Sequence, residues 1–320
     1  MSDLGVAVLS GGLSHEREVS LRSGRRLSAA LRAAGVSVDE WDVDATLFDR
    51  LSEHRPDAVV VALHGVEGEG GAIQTVLEML GVPYVGSDSH ACRRAWDKPT
   101  AKTELAHAGI ATPDWVVLPH STFRELGARP VLDAMVDRLG LPMMLKPEQG
   151  GSALGAQVVR DATDLPAAMV GCLAYGETVL AEQFVDGVEV AVAVVEGASG
   201  PEALPAVEID PASGVYDYTA RYTAGLTNFH TPARLDSVSA AAVADLAVAA
   251  HRLLGLRDVS RTDAIIASDG TVYFLEVNSS PGLTETSLLP MAAEVAGRSL
   301  GDIYAGLIER AVTRATVHLR

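Results

Sequence analysis

Short apolar runs alternate with helical patterns in the N-terminal part of the chain. Residues 5–9 and 58–63 are apolar runs of strand length, and each runs into a turn that contains glycine. Apolar residues then recur at helical spacing, first up to Gly35 and later between residues 73 and 80, just before Gly81. Strands that alternate with helices predict a parallel sheet, whose ligand-binding loops follow the carboxyl ends of the strands.

The rest of the chain has more strands and fewer helices between them. A helix is predicted from Lys98, and a strand that ends at Val185 closes the second unit. Valines that alternate from residue 190 begin a third unit, which closes with a helix near residues 300–312. The expectation is an α/β protein with a parallel-sheet domain and two α+β domains, at residues 1–97, 98–185 and 186–320.

The most informative pattern is a hairpin predicted between residues 261 and 278. Two runs rich in strand-forming residues, 263–267 and 271–277, flank the dipeptide Asp269-Gly270. This dipeptide suits a two-residue hairpin turn, in which both central positions need a positive φ. A two-residue turn at this point fixes which residues of the two strands face each other.

With that turn, Asp263 lies opposite Glu276 and Arg261 lies opposite Asn278, all on one face of the hairpin. Two directly opposed carboxylates repel each other, since their Cβ atoms are about 4.5–5.5 Å apart. A divalent ion would remove the repulsion, and two carboxylates with an amide oxygen favour Mg²⁺ or Mn²⁺ over zinc. A surface hairpin with solvated charges is the alternative. The other face is predicted to be core: Ile266, Tyr273, Leu275 and Val277.

Composition excludes several classes of partner. The net charge of -17 argues against nucleic acid and against anionic membrane surfaces, which both need basic patches. No apolar run approaches the roughly 20 residues of a membrane-spanning helix, and no signal sequence is recognisable, so a cytoplasmic location is expected. Cys92 and Cys172 are expected to be reduced and structural, because two cysteines are too few for a disulfide framework.

Lysine is rare in this chain, which has three lysines against 22 arginines. Lysines retained in an arginine-rich chain suggest sites that need a compact ammonium group, such as phosphate sites, although Lys102 is expected to be incidental. Lys146 precedes a glycine-rich loop, residues 150–155, that lies between two predicted strands. Such a loop can lay backbone N–H groups over phosphates, and a plain flexible hairpin is the alternative.

Two further candidates lie at the edge of the predicted parallel sheet. Glu16 is at the head of the first helix, and His64 directly follows a buried strand. Capping of the helix is the alternative for Glu16, because the helix dipole stabilises a carboxylate there. Arg221 lies in an aperiodic segment, residues 216–235, that is either an ordered functional loop or a surface loop.

Five segments together resemble the D-alanine:D-alanine ligases of the ATP-grasp superfamily, in family order and over nearly the whole chain. They are residues 11–24, 62–87, 145–155, 216–222 and 261–290. The resemblance implies the ATP-grasp fold, with ATP between the second and third domains. It implies a cytoplasmic homodimer that joins two D-alanines through an acyl phosphate for peptidoglycan synthesis.

The resemblance also implies a site for ATP and magnesium. Lys98 and Lys146 would contact the phosphates, Glu182 and the backbone of Val185 would contact adenine, and Glu189 would bind the ribose. The implied nucleotide-binding residues are Lys98, Lys146, Ser152, Glu182, Val185, Glu189 and Arg221. The implied ligands of Mg²⁺, with two ions expected, are Asp263, Glu276 and Asn278, which agrees with the register derived from the turn.

The first amino acid would be held at the N-terminal domain. By resemblance, Glu16 would bind the ammonium group of the first D-alanine, and Ser152 and Tyr222 would be its hydrogen-bonded partners. His64 would help to position this substrate, and a purely structural histidine is the alternative.

The second amino acid and the transition state would be held by the hairpin and the segment after it. By resemblance, Arg261 and the backbone of Gly282 would stabilise the oxyanion. Ser287 and the amide of Leu288 would bind the carboxylate of the second D-alanine. Several roles thus fall within one stretch of about 30 residues.

Four positions depart from the family pattern. Ala153 replaces the second serine of the glycine loop, Gln183 replaces a lysine, Arg221 replaces another lysine, and Gly70 replaces an acidic residue. These changes leave open a specialised paralogue that joins other amino acids in antibiotic biosynthesis or self-resistance, and a non-catalytic nucleotide-binding protein. Tyr222 favours an amine over a hydroxy acid as second substrate.

Overall fold

The computed structural model describes residues 4–318, and within them three β-sheets carry helices on their faces. The first sheet is parallel, as predicted, and its strand order is β2-β1-β3-β4. Its strands are β1 (Gly5–Ser10), β2 (Ser37–Asp42), β3 (Ala58–Val61) and β4 (Tyr84–Val85). The helices of this part are α1 (Arg17–Ala33), α2 (Leu47–His54), α3 (Val66–Glu69), α4 (Ala72–Leu80) and α5 (Ser89–Trp96).

The second sheet is antiparallel, in the order β5-β8-β6-β7. Its strands are β5 (Trp115–Pro119), β6 (Met143–Pro147), β7 (Gln157–Val159) and β8 (Thr178–Gln183). The accompanying helices are α6 (Lys98–His107), α7 (His120–Leu126), α8 (Ala128–Leu139) and α9 (Leu165–Leu173). The glycine-rich loop connects β6 to β7, so its predicted position between two strands is confirmed.

The third sheet follows the path β12-β11-β9-β13-β14, with β10 beside β9. Its strands are β9 (Gly187–Gly197), β10 (Gly200–Ala203), β11 (Val207–Pro211), β12 (Thr227–His230), β13 (Val259–Ala267) and β14 (Val272–Asn278). The helices are α10 (Tyr218–Tyr222), α11 (Ser237–Leu253), α12 (Leu288–Val295) and α13 (Leu300–His318). Helix α10 lies in the segment that lacked a clear period.

The last helix joins the two ends of the chain. Ile303, Leu307 and Ile308 of α13 share one hydrophobic core with residues of α1, β1 and β3. Asp258, which is fully buried, accepts hydrogen bonds from the backbone of Gly86 and from the guanidinium of Arg314. The N-terminal sheet is therefore held to the third sheet, and the predicted domain boundaries stay a prediction.

The β13–β14 hairpin has the predicted register at one end and a different turn at the other. Asp263 pairs with Glu276 and Arg261 pairs with Asn278, as predicted. At the turn, however, Ala267 N donates to Thr271 O at 2.9 Å, so the loop has three residues, with Gly270 at φ 85°. The two-residue turn was therefore wrong. This loop is the other common hairpin type, a type I turn followed by a left-handed residue.

A β-bulge at Leu275 restores the register that the longer turn would have shifted. Asp263 pairs with Glu276, but Ala264 pairs with Phe274, so one residue of β14 is left over between the two pairs. A bulge also reverses the alternation of side chains along the strand. Consequently Phe274 is fully buried in the core, whereas Leu275 faces a cavity and Tyr273 is only partly buried.

The predicted core face of the hairpin was therefore half right. Ile266 and Val277 are buried in the core as expected. The assignment of Tyr273 and Leu275 to that core was wrong, because the bulge lies between Val277 and Tyr273. The face with the charged residues extends toward the turn through Leu275 and Ile265, which both line the cavity.

Candidate active site

Two adjoining cavities lie where the three sheets meet. The larger has a volume of about 340 Å³ and the smaller about 130 Å³. The larger falls within the range of small-molecule sites. Predicted site residues that line the larger are Lys98, Lys146, Glu182, Val185, Glu189, Arg221, Asp263 and Glu276. Those that line the smaller are Glu16, His64, Lys98, Ser152, Arg221, Arg261, Glu276, Asn278, Gly282, Ser287 and Leu288.

All predicted site residues whose side chains the structure describes are thus brought to one cleft. Lys98, Arg221 and Glu276 line both cavities and mark the point where they meet. Tyr222 is the exception among the predictions, because its side chain lies outside what the structure describes. Its backbone ends α10, which also carries Arg221.

The larger cavity combines an apolar wall with charged groups. Its apolar residues come from several strands and loops, among them Met144, Val188, Ile209, Ile265 and Leu275. A flat, largely apolar ring can be buried against such a wall, while its polar edge meets the backbone after β8.

Glu189 is a buried carboxyl of the larger cavity. Burial raises its pKa to about 7, and the Arg221 guanidinium opposes this rise. Glu189 is therefore protonated more readily than an exposed carboxyl. A neutral hydroxyl-rich ligand such as a ribose fits such a group, because a carboxyl can either accept or donate a hydrogen bond.

The opposed carboxylates are surrounded by cations of the protein itself. Arg261 donates from Nε and Nη2 to the two oxygens of Asp263 at 2.7 and 2.8 Å. Lys98 Nζ lies 3.7 Å from Glu276 Oε2 and donates to the backbone O of Gly150 at 2.8 Å. Burial alone would raise the pKa of Glu276, but the lysine and arginine groups around it hold this pKa well below its ordinary value.

The residues present fit a magnesium ion that is shared with a ligand. Among residues 4–318 no group of three His, Cys, Asp or Glu side chains could hold a metal ion. The donor set is instead Asp263, Glu276 and the amide oxygen of Asn278, and the last also accepts from Ser280 N at 2.8 Å. Three oxygen donors do not complete the six that Mg²⁺ prefers, so the ligand and water would supply the others.

At the smaller cavity, Glu16 faces the glycine-rich loop. Ser152 Oγ donates a short hydrogen bond to Glu16 Oε1. Glu16 occupies the N-cap of α1 but its side chain makes no capping hydrogen bond, so the capping alternative is not supported. Among residues 4–318 Glu16 has no ion-pair partner, and such a carboxylate at a cavity is suited to bind the ammonium group of a ligand.

His64 is held by two partners within the protein. Its Nε2 lies 2.8 Å from Ser23 Oγ, and its Nδ1 donates to the backbone O of Ser280 at 3.1 Å. Burial lowers its pKa, so the neutral ring is favoured. With both nitrogens engaged, His64 joins α1 to the segment after β14, which favours the structural alternative.

The far wall of the smaller cavity is the start of α12. Ser287 is its N-cap residue, and Leu288 supplies a backbone N–H at the positive end of the helix. Ser287 Oγ accepts from Thr284 N at 3.0 Å. A β-carbon at Gly282 would lie 2.7 Å from this hydroxyl, so a larger residue there would force the Ser287 side chain to move. A carboxylate is the kind of ligand that such a helix start binds.

Lys102 was expected to be incidental, and the structure contradicts this. Its side chain is completely buried, with Nζ 2.6 Å from Glu182 Oε1 and 2.5 Å from Thr112 Oγ1. The sequence did contain a signal, because Lys102 follows Lys98 by one helical turn. Glu182, which was predicted as a ligand contact, is thereby also part of a buried ion-pair network.

Glu69 is a functional candidate that the sequence patterns missed. It lies in α3, is 6% exposed, lines the smaller cavity, and accepts a hydrogen bond from Gly65 N at 3.2 Å. Burial, together with the Glu16 carboxylate, raises the pKa of Glu69 to about 8. It is therefore protonated at neutral pH and can donate a hydrogen bond into the cavity.

Glu69→Gln is expected to remove a pH-dependent loss of stability. Between pH 4.5 and 8 the unfolded chain releases the Glu69 proton while the folded chain keeps it, so the free energy of unfolding falls as pH rises. One pH unit between the two pKa values corresponds to about 1.4 kcal/mol, so the loss is on the order of 4 kcal/mol. Glutamine does not titrate, so the variant should gain stability over the unsubstituted protein as pH rises.

Urea unfolding at pH 5, 6.5 and 8 measures this difference. Glu125→Gln, on the exposed face of α7, is the matched control and should change stability by less than about 0.5 kcal/mol at each pH. A constant difference between Glu69→Gln and the unsubstituted protein at all three pH values would contradict the raised pKa.

Comparison with known proteins gives one family. The family model "D-ala D-ala ligase C-terminus" matches residues 105–309. A D-alanine–D-alanine ligase from Anaeromyxobacter sp. (strain Fw109-5) is 42% identical over 310 residues, which are 97% of each chain. In the part that the structure describes, no helix is long and apolar enough to cross a membrane.

Solved structures of the same kind are also similar. The D-alanine–D-alanine ligase from Bacillus anthracis complexed with ATP has a TM-score of 0.79 and 27% identity, covering 98% of both chains. The VanG D-Ala:D-Ser ligase from Enterococcus faecalis has a TM-score of 0.82 and 26% identity, covering 96% of this chain and 99% of its own.

Proposed function

Since the chain belongs to the D-alanine–D-alanine ligase family, with the ATP-grasp fold, we propose that it joins two D-alanines into D-alanyl-D-alanine with cleavage of ATP to ADP and phosphate. The observation that carries the proposal is the Asp263–Glu276 pair, placed between Lys98 on one side and Arg261 on the other. On family likeness we also propose a cytoplasmic homodimer that supplies peptidoglycan precursors.

In the first step, a carboxylate oxygen of the first D-alanine attacks the γ-phosphorus, and the bond to the β-phosphate oxygen breaks. Glu16 holds the ammonium group of this substrate at the smaller cavity. Lys98, Lys146 and Arg221 offset the charge of the phosphates. Magnesium, with two ions expected and Mn²⁺ as a substitute, would bind at Asp263, Glu276 and Asn278 and neutralise the transferring group.

In the second step, the amine of the second D-alanine attacks the carbonyl carbon of the acyl phosphate. The tetrahedral oxyanion is stabilised by Arg261 and by the backbone N–H of Gly282. Phosphate then leaves, and the attacking nitrogen loses a proton. Ser287 and the Leu288 N–H bind the carboxylate of this substrate and hold its amine near the carbonyl.

A paralogue with other substrates remains the second candidate. Ala153 at φ 54° lacks the second hydroxyl of the glycine loop, and Gln183 lacks a positive charge near the nucleotide cavity. Arg221 keeps its charge and lines both cavities. The VanG neighbour is itself named for a different second amino acid, D-serine.

Release of ADP in the presence of Mg²⁺ and D-alanine tests the proposed function. Mass spectrometry of the product, with D-alanine offered alone and then with D-serine or D-lactate, identifies what is joined. The expected product is D-alanyl-D-alanine. Release of ADP only with another pair of substrates would select the paralogue, and no stimulation by any amino acid would select a non-catalytic nucleotide-binding protein.

Gly151→Ala is expected to reduce the use of the first substrate. A β-carbon at Gly151 would lie 2.9 Å from Glu16 Oε2, so the loop or the carboxylate must move. Because Ser152 holds Glu16 in place, we expect kcat/KM for D-alanine to fall by about 10-fold or more.

The adjacent glycine provides a matched control for this substitution. A β-carbon at Gly150 has its nearest neighbour at 3.7 Å, which is ordinary contact. Gly150→Ala should therefore change kcat/KM for D-alanine by less than about threefold. An equal loss of kcat/KM in the two variants would mean that loop flexibility, and not contact with Glu16, determines how D-alanine is used.

A further inference from the structure

A chain of three charged side chains lies at the inner end of the larger cavity. Glu182 Oε1 lies 2.6 Å from Lys102 Nζ, and Glu182 Oε2 lies 2.5 Å from Lys146 Nζ. The exposed fractions of these side chains are 3% for Glu182, 0% for Lys102 and 14% for Lys146. One buried carboxylate is therefore shared by two ammonium groups, only one of which can reach the cavity.

Lys102 is fixed by its surroundings and cannot contact a ligand directly. It lines neither cavity, and its Nζ contacts Thr112 Oγ1 and lies 5.0 Å from the centre of the Trp115 ring. Thr112 in turn donates to the backbone O of Phe274 at 2.9 Å. Any effect of Lys102 on a bound ligand must therefore act through Glu182.

Lys146 is placed differently, because it has two possible partners. It lines the cavity with Asp263 and Glu276, where phosphates would be bound, yet its ammonium pairs with Glu182. A bound phosphate would therefore compete with Glu182 for the three N–H donors of this ammonium. A buried carboxylate that loses its only partner is strongly destabilised, by about 3–5 kcal/mol in measured cases.

We propose that Lys102 is a positioning residue that keeps Glu182 paired when Lys146 turns to the phosphates of ATP. This inference rests on the proposed function, because it assumes that the cavity binds ATP. Burial lowers the pKa of Lys102 to about 8, so its ammonium group is still charged at neutral pH. Lys102 thus removes the free-energy cost that would otherwise hold Lys146 on Glu182.

Lys102→Met removes the charge but keeps the length of the side chain. Glu182 then depends on Lys146 alone, so we expect the Kd for ATP to rise about 10-fold or more. Adenosine has no phosphate and does not need Lys146 to move, so its Kd should change less than about threefold. Calorimetric titration with both ligands separates the two effects.

In the Glu182→Gln variant, Lys102 should no longer affect the Kd for ATP. This variant has no buried carboxylate whose charge a lysine must neutralise. Adding Lys102→Met should therefore change the Kd for ATP by less than about threefold relative to Glu182→Gln alone. Thr112→Val is the matched control, since it disturbs the same buried contacts without changing a charge, and it should also leave this Kd within threefold. If Lys102→Met does not fold, Lys102→Gln gives the same comparison.

Two results would overturn the inference while leaving the proposed function intact. One is an equal loss of affinity for ATP and adenosine in Lys102→Met. The other is the same loss in the Glu182→Gln background as in the unsubstituted protein. Either would mean that Lys102 only maintains the structure. If the unsubstituted protein itself does not bind ATP, the proposed function fails and the inference fails with it.

Discussion

Arg261→Lys is expected to lower turnover by about 10²–10³-fold while changing the Kd for ATP less than about threefold. The guanidinium has five N–H donors, and Asp263 accepts from two of its nitrogens. Arg261 also lines the smaller cavity, where the oxyanion would form. Lysine keeps a positive charge beside Asp263, but its single ammonium group cannot donate hydrogen bonds to both the carboxylate and the oxyanion in this arrangement.

Arg314→Lys is the matched control for this substitution. Arg314 also donates two hydrogen bonds to a buried carboxylate, that of Asp258, but it lines neither cavity. It should lower thermal stability and leave kcat within about twofold. Steady-state release of ADP gives kcat, and calorimetry gives the Kd for ATP. Near-normal turnover of Arg261→Lys would refute the oxyanion role.

In the β13–β14 hairpin, the sequence predicted the pairing of the charged residues but not the turn or the bulge. The Asp263–Glu276 pairing was right because two departures cancel, the three-residue turn and the bulge at Leu275. Asp269-Gly270 is equally compatible with both turn types, so the dipeptide alone could not decide. The bulge has no local signature, since it follows from how Phe274 packs into the core.

The carboxylates of Asp263 and Glu276 do face each other, but a metal ion is not the only source of positive charge beside them. The sequence predicted a divalent ion between the two carboxylates. The structure places Arg261 on Asp263 and Lys98 near Glu276, so the protein itself already supplies cations there. Arg261 lies two residues from Asp263 on the same strand, whereas Lys98 belongs to helix α6, which accompanies the second sheet. The contact of Lys98 with Glu276 therefore depends on tertiary packing.

Differences in burial explain which other residues and strands could not be predicted from the sequence. Glu69 is charged in the sequence and gives no apolar signal, so its burial can only be seen after the helices are packed, whereas the spacing of Lys102 from Lys98 by one helical turn was a signal that the pattern reading did not use. Strand β2 was not predicted, because it lies at a sheet edge and most of its side chains are exposed or half-buried. The parallel sheet was predictable from its buried central strands β1 and β3.

Glu276→Gln is expected to change ATP binding in opposite directions with and without magnesium. With Mg²⁺, the loss of a charged ligand should weaken ATP binding and lower turnover by about 10³-fold. With the metal removed by chelation, the same substitution should tighten ATP binding. The reason is that Glu276 then only repels the phosphates and holds Lys98, whose ammonium is 3.7 Å away.

Glu208→Gln separates this metal effect from a general change of charge in the cavity. Glu208 also lines the larger cavity and is buried, but it is paired with Arg234 and lies on β11, which β9 separates from β13. Its substitution should shift the Kd for ATP in the same direction whether or not Mg²⁺ is present. Calorimetry in Mg²⁺ and in chelator gives four values of Kd for the two variants. If the change in ATP affinity reverses its sign between the two conditions in Glu276→Gln alone, Glu276 is a metal ligand. Weaker ATP binding under both conditions would instead give Glu276 a structural role. The reason is that a carboxylate that only supports the fold cannot favour ATP binding with the metal and oppose it without the metal.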